Sequence, residues 1–101
     1  MSNNKIISGT IDSSGNPITP TSSKSSRTGT GAYQVKFPAD AFTENPSVVV
    51  TPTTENLGDG YVVSISLQAV GPDGFSVYIQ NLSNPARNVD ASFNFIAVPR
   101  N

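Results

Sequence analysis

Apolar and polar side chains alternate along the chain from Tyr33 onward, which is the pattern of β-strands that bury one face. Tyr33, Val35 and Phe37 share one face of the first alternating stretch, and Gln34 and Lys36 share the other. No stretch repeats its apolar residues at the spacing of an α-helix, about 3.6 residues. We therefore predict strands and no helix.

The longest alternating run is YVVSISLQAV, residues 61–70, and it predicts a β-hairpin with the strand that follows. The turn GPDG, residues 71–74, carries Pro at its second position, where a φ of about −65° is required. The strand FSVYIQ, residues 75–80, then returns. The apolar face of the hairpin comprises Tyr61, Val63, Ile65, Leu67, Ala69, Phe75, Val77 and Ile79.

Two more strands are predicted outside this hairpin. SVVVTP, residues 47–52, is apolar on both faces, and Pro52 closes it. A connector bracketed by Pro38 and Pro46 precedes it, and we expect Phe42 to plug the end of the core. The last strand is VDASFNFIAV, residues 89–98, with Ala91, Phe93, Phe95 and Ala97 on one face and Ile96 and Val98 on the other.

The first 30 residues are rich in Ser, Gly, Pro and Thr, which favours loops, turns or a sheet edge, with one short strand at KIISGTI. This segment is either a flexible tail or an extended arm that packs on a neighbouring subunit. We predict a single all-β domain over residues 1–101, a small antiparallel β-sandwich of about six strands. A polar strand or arm covers residues 1–30, and the sandwich core covers residues 31–101.

Several apolar residues fall on faces that a lone sandwich would expose to water, namely Val49, Val62, Val70, Ile96 and Val98. Curled edges and covering loops would explain them, and so would packing between subunits. A small domain without disulfides or metals often gains burial by association. We therefore favour an oligomer.

The composition of the chain excludes several classes of function. The 101 residues include no Cys and no His, and the net charge is −1. Disulfides, thiolate chemistry and histidine-based metal or acid–base sites are therefore excluded. The charge does not favour nucleic acid as a partner, and neither a signal-peptide core nor a run long enough for membrane insertion is present. We expect an extracellular or virion-associated protein without a cofactor.

The glycine-containing stretch RTGTGAYQV, residues 27–35, is the strongest motif for nucleotide chemistry. It lacks the lysine of a phosphate-binding loop, and a strand rather than a helix follows it. The two glycines are better explained as a bend into that strand. Most of the seven carboxylates fall in predicted turns, apart from Asp90, so we predict no enzyme activity. The loop TENLGDG, residues 54–60, lacks the ligand spacing of a calcium site.

Sugar binding fits the composition better. Ser, Thr and Asn, with 14, 9 and 10 copies, supply most of the polarity, as in fibres, capsids and lectins. Shallow lectin sites use acidic, amide, Arg and aromatic side chains on loops, and Tyr61 is placed either to stack on a sugar or to lie in the core. The candidate ligand-binding residues are Asp59, Tyr61, Asn81, Asn84 and Arg87, with Asn88 beside them.

The order of motifs from Arg27 onward resembles a module of bacterial and phage fibre-like proteins. The matching stretches are RTGTGAYQVKF, AFTENPSVVVTP, GPDGFSVYIQN and SFNFIAV. SGTID, VGPDGF and FNFIAV are similar to the H-type lectin domain of invertebrate agglutinins. Together these matches touch about three quarters of the chain and consist mostly of core and turn positions.

The resemblance implies a six-stranded antiparallel sandwich that assembles as a homotrimer. H-type lectins bind N-acetylgalactosamine-like sugars between protomers through an Arg and a Trp-His pair. The equivalent positions here are Val62 and the pair Leu82–Ser83, so that sugar site is not carried over. The leading hypothesis is a trimeric, non-enzymatic fibre or appendage module that attaches to a receptor or cell-surface glycan. The alternative is a purely structural building block, cap or decoration protein that binds other subunits of a larger particle.

Overall fold

The computed structural model describes residues 6–19, 21–53, 63–83 and 85–100. These residues form strands joined by turns and loops, and none of them belongs to a helix that could cross a membrane. The strands are β1 (Ile7–Ile11), β2 (Lys24–Gly29), β3 (Ala32–Lys36), β4 (Ser47–Pro52), β5 (Val63–Gly71), β6 (Gly74–Asn81), β7 (Arg87–Asn88) and β8 (Phe93–Val98).

The strands form two antiparallel sheets. The smaller sheet has the order β1-β8-β4, and the larger has the order β2-β3-β6-β5, with β7 paired to the end of β6. This confirms the predicted all-β, antiparallel, sandwich-like fold. The described residues form eight strands where the sequence predicts about six, because β2 and β7 lack apolar side chains. Backbone pairing to β3 and β6 holds them without an apolar face to mark them.

The core lies between the inner faces of the two sheets. Ring contacts join the sheets directly, with centroid distances of 5.3 Å for Phe75–Phe95 and 5.4 Å for Tyr33–Phe93. Such tilted contacts add to the free energy gained by burying the rings. The predicted inward faces of β3, β6 and β8 are confirmed. Their buried side chains are Tyr33, Val35, Phe75, Val77, Ile79, Phe93, Phe95 and Ala97.

The connector between β3 and β4 closes one end of this core. Phe42 is buried, and its ring meets that of Phe37 edge-on at 5.0 Å. Phe37 in turn contacts Phe75 at 5.7 Å. The prediction that Phe42 plugs the end of the core is confirmed.

The β5–β6 hairpin is confirmed, with one correction to its faces. The pairing shifts between Gln68 and Gly71, and Ala69 adopts a φ of +53°. This bulge inserts a residue and reverses the inward–outward phase. Ala69, predicted on the inner face, is therefore exposed, and Val70, predicted on the outer face, packs against the core.

The smaller sheet exposes apolar side chains on its outer face. Val49 and Ile96 are Cα partners across β4 and β8 and are 63% and 50% exposed. Ile6, just before β1, is also exposed. Val98 is half-buried, and Val62 lies outside the described residues. Ile6, Val49 and Ile96 are called the apolar strip below.

The N-terminal segment supplies one strand to each sheet. β1 pairs with β8 and buries Ile7 and Ile11, and β2 pairs with β3 at the edge of the larger sheet. Residues 7–11 and 24–29 therefore belong to strands that pair with strands of their own chain. The division of the domain at residue 30 and the contact of an arm with a neighbouring subunit stay predictions.

We expect Phe75→Ala to lower the free energy of unfolding by about 3–5 kcal/mol, because it removes a buried ring that contacts both sheets. Ser76→Ala, at the next and half-exposed position, is the matched control and should change it by less than about 0.5 kcal/mol. Urea unfolding followed by circular dichroism measures both. Equal effects would contradict a core built on the Phe75–Phe95 contact.

Candidate functional site

The carboxylate of Asp90 accepts hydrogen bonds from residues of the glycine-containing stretch, residues 27–35. Asp90 Oδ2 accepts a hydrogen bond from Arg27 Nε at 3.0 Å, and Asp90 Oδ1 accepts one from the Gly31 N–H at 2.7 Å. The Tyr33 hydroxyl lies 3.3 Å from Asp90 Oδ1 and 2.7 Å from the carbonyl oxygen of Ser13. Arg27, Gly31, Tyr33 and Asp90 are called the Asp90 junction below.

Gly31 is required by this geometry. Its φ is +70°, and a Cβ at this position would lie 2.5 Å from the carbonyl oxygen of Ile79. The close approach arises because the Ile79 N–H donates to the Gly31 carbonyl at 2.7 Å and the Val89 N–H donates to the Ile79 carbonyl at 3.2 Å. The interpretation of this stretch as a strand entry therefore holds, and the Gly31 N–H is already bound to Asp90.

The Asp90 junction keeps its carboxylate ionised. Desolvation on its own raises the pKa of Asp90, but hydrogen bonds from Arg27 and Gly31 and the charge of Arg27 outweigh it and hold that pKa below its ordinary value. Burial, together with the negative Asp90, raises the pKa of Tyr33 to about 12. A carboxylic acid that donates protons near neutral pH needs the opposite shift. Asp90 therefore acts as a fixed acceptor that joins two segments.

The predicted ligand-binding residues are only partly described. Asp59, Tyr61 and Asn84 lie outside the described residues, as does the loop 54–60 considered for calcium. Asn81 and Arg87 are Cα partners in the β6–β7 pair. Asn81 is 1% exposed, and its Oδ1 accepts the Ser83 N–H at 2.9 Å, whereas Arg87 is exposed. The described residues contain no group of three or more acidic side chains that could hold a metal.

The outer face of the larger sheet carries a residue that the sequence-based site omitted. Tyr78 is 45% exposed, and it faces outward because its neighbours Val77 and Ile79 are fully buried. The alternation of apolar residues in FSVYIQ, residues 75–80, already places Tyr78 on the outer face. The Cα partners of Tyr78 on the two neighbouring strands are Ala32 and Ser66.

Polar, mostly uncharged side chains surround Tyr78 on this face. Gln80 and Asn88 are Cα partners, and Gln80 Nε2 donates to Asn88 Oδ1 at 3.2 Å. The residues of what is called the polar face below are Lys24, Ser26, Gln34, Lys36, Ser64, Ser66, Gln68, Ser76, Tyr78, Gln80 and Asn88. This set contains amides, hydroxyls, one aromatic ring and two ammonium groups, and no carboxylate.

Comparison of the chain with protein-family models, with curated proteins and with solved structures finds no match. The resemblance to fibre modules and H-type lectins therefore stays a prediction from the motifs quoted above. Of the positions equivalent to the H-type sugar site, Val62 lies outside the described residues, Leu82 is half exposed, and Ser83 hydrogen-bonds to Asn81.

The lowered pKa of Asp90 predicts that the folded protein loses stability in acid. Because the folded-state pKa of Asp90 is lowered, its stabilisation is complete above the ordinary Asp pKa of about 3.9 and is lost as the pH falls through the lower folded value. We expect Asp90→Ala to reduce the free energy of unfolding at pH 7 by about 1–3 kcal/mol, because it removes the acceptor of the Gly31 N–H.

Unfolding measured from pH 7 to below pH 4 tests this. The difference between wild type and Asp90→Ala should shrink as the pH falls, since protonation removes the same charge. Asp73→Ala, at the exposed β5–β6 turn, is the control and should change the free energy of unfolding at pH 7 by less than about 0.5 kcal/mol. A constant difference at every pH would contradict an ionic role for Asp90.

Proposed function

We propose that this chain is a non-enzymatic, glycan-binding β-sandwich module that works as a homotrimer in a fibre or surface appendage. The observation that carries the proposal is the polar face, which presents the exposed Tyr78 among amide and hydroxyl side chains on paired strands. Its place would be extracellular or on a particle, where it attaches to a cell-surface glycan.

The chemistry of the polar face suits a sugar. A pyranose has hydroxyl groups that both donate and accept hydrogen bonds and a C–H face that packs on an aromatic ring. Amide side chains such as Gln34 and Gln80 also donate and accept, and a tyrosine ring offers a large contact area with little conformational entropy to lose. Strand positions hold these groups in a fixed spacing, which favours repeated recognition along a glycan chain.

The chemistry proposed for the polar face is binding without catalysis. Asp90 is held by Arg27 and the Gly31 N–H and lies in a junction rather than on the polar face. The polar face itself has hydrogen-bonding groups and no carboxylate, so recognition there would rest on shape, hydrogen bonds and stacking. Asn88, the Cα partner of Gln80, extends the face at the β7 end.

A glycan array followed by titration tests the proposal. We expect Tyr78→Ala to weaken binding by at least about tenfold, or ~1.4 kcal/mol, because it removes the stacking surface. Tyr78→Phe keeps the ring and should retain most of the affinity. Absence of binding to every glycan and bacterial polysaccharide would rule out attachment. If Arg87→Ala lost binding and Tyr78→Ala did not, the site would lie at the β7 edge instead.

A structural role is the second candidate, and the apolar strip favours it. Val49 and Ile96 are each at least half exposed on the smaller sheet, on the opposite side of the core from the polar face, and Ile6, just before β1, is exposed as well. Clustered exposed apolar side chains are typical of surfaces that pack against another protein. We propose that the strip contacts other copies in the trimer, or other subunits if the chain is a particle component.

Mass measurement by light scattering tests self-association. We expect three times the 10.6 kDa chain mass for wild type and a smaller mass for Val49→Lys/Ile96→Lys, because buried charges oppose association. Both positions are exposed in the single chain, so the variant should stay folded. Ile18→Lys, at an exposed isoleucine outside the strip, is the control. A monomeric wild type, or an unchanged mass in the double variant, would contradict this role for the strip.

A further inference from the structure

Two like charges stand opposite each other at one end of the polar face. Lys24 and Lys36 are Cα partners across β2 and β3, and both are exposed. Like charges at directly opposed positions destabilise a strand pair. Among the described residues, Arg27 and Asp90 form an ion pair, and neither lysine forms a salt bridge with a carboxylate. Asp73, in the neighbouring turn, forms no salt bridge with Lys36.

A groove of about 200 Å³ lies at this pair of lysines. It is lined by Lys24, Ser25, Ser26, Gln34 and Lys36. The Ser25 hydroxyl donates to the Gly15 carbonyl at 2.7 Å, which leaves the ammonium groups and the exposed Ser26 and Gln34 to meet a ligand. The lining contains hydrogen-bond donors and no carboxylate, which is the chemistry of an anion site.

The groove and Tyr78 belong to one continuous surface. Lys36 is four residues from Ala32 along β3, and Ala32 is the Cα partner of Tyr78. At a rise of about 3.3 Å per residue, that separation is about 13 Å. Gln34 and its partner Ser76 lie between them. A ligand that reaches both ends is therefore longer than a single sugar ring.

We infer that the polar face binds an anionic oligosaccharide, with a carboxylate or sulfate group between Lys24 and Lys36 and a sugar ring against Tyr78. This inference rests on the proposed glycan-binding function and names its ligand class. A nucleic acid fits less well, because a single strand needs cationic groups along its whole path. Here the cations stand at one end, and the remaining positions carry amides and hydroxyls.

The test compares each anionic glycan with its neutral counterpart. Suitable pairs are a galacturonic acid hexamer with its carboxyl-reduced form, sialyllactose with lactose, and a sulfated oligosaccharide with its desulfated form. We expect anionic members to bind more tightly and to lose affinity as salt is added, because the lysines are exposed. Lys24→Gln/Lys36→Gln should weaken anionic binding roughly three- to thirtyfold and weaken neutral binding by a smaller factor.

Controls separate this inference from the proposed function. Arg100→Gln removes an exposed positive charge after β8 and should have no effect, while Tyr78→Ala should weaken the anionic and neutral members alike. Equal binding of anionic and neutral glycans would overturn the inference and leave the proposed function standing. An unchanged anionic preference in the double lysine variant, or tighter binding of single-stranded DNA than of any anionic glycan, would also overturn it. Absence of binding to all glycans would overturn both.

Discussion

The burial of alternate side chains between the two sheets is the constraint on which the rest of this structure depends. Phe75, Val77 and Ile79 face the core of a chain that has no cysteine to brace it. A slip of one residue in β6 would send these side chains to the solvent and Tyr78 to the core. The ring contact of Phe75 with Phe95 opposes such a slip. Core packing therefore also determines which side chains the polar face presents.

The Asp90 junction lies where β6 changes its pairing partner from β3 to β7. Beyond Gly31, β3 stops accompanying β6 and β7 takes its place, so the chain reverses close to the backbone of Ile79. Asp90 binds Arg27, which lies 63 positions earlier in the chain, and also accepts a hydrogen bond from the Tyr33 hydroxyl. Because Asp90 and Arg27 neutralise each other, the junction adds no net charge, whereas no carboxylate among the described residues forms a salt bridge with Lys24 or Lys36.

The alternation of apolar and polar residues predicted the strands that bury one face. It identified β3, β6 and β8 together with the residues that face the core. It did not identify β2 and β7, because their side chains are polar and do not alternate with apolar ones. Backbone pairing with the neighbouring strands β3 and β6 forms them. The bulge at Ala69 made the predicted faces wrong at the end of β5, because the spacing of apolar residues does not reveal an inserted residue. Asn81 is predicted as a ligand-binding residue of a polar loop, yet it is the last residue of β6 and its side chain is buried.

The two outer faces of the sandwich differ in chemistry, because one carries the apolar strip and the other is the polar face. The two proposed functions, self-association and glycan binding, are therefore compatible in one molecule. The apolar strip and the polar face lie on opposite sides of the core, so a copy bound to the strip leaves Tyr78 accessible. An open sheet face encloses little of its ligand, and a single sugar contact there is weak because few groups converge on it. In the proposed trimer three such faces act together, and linked weak sites hold a repeating glycan far more strongly than one site. Self-association through the strip would therefore supply the affinity that a shallow polar face lacks.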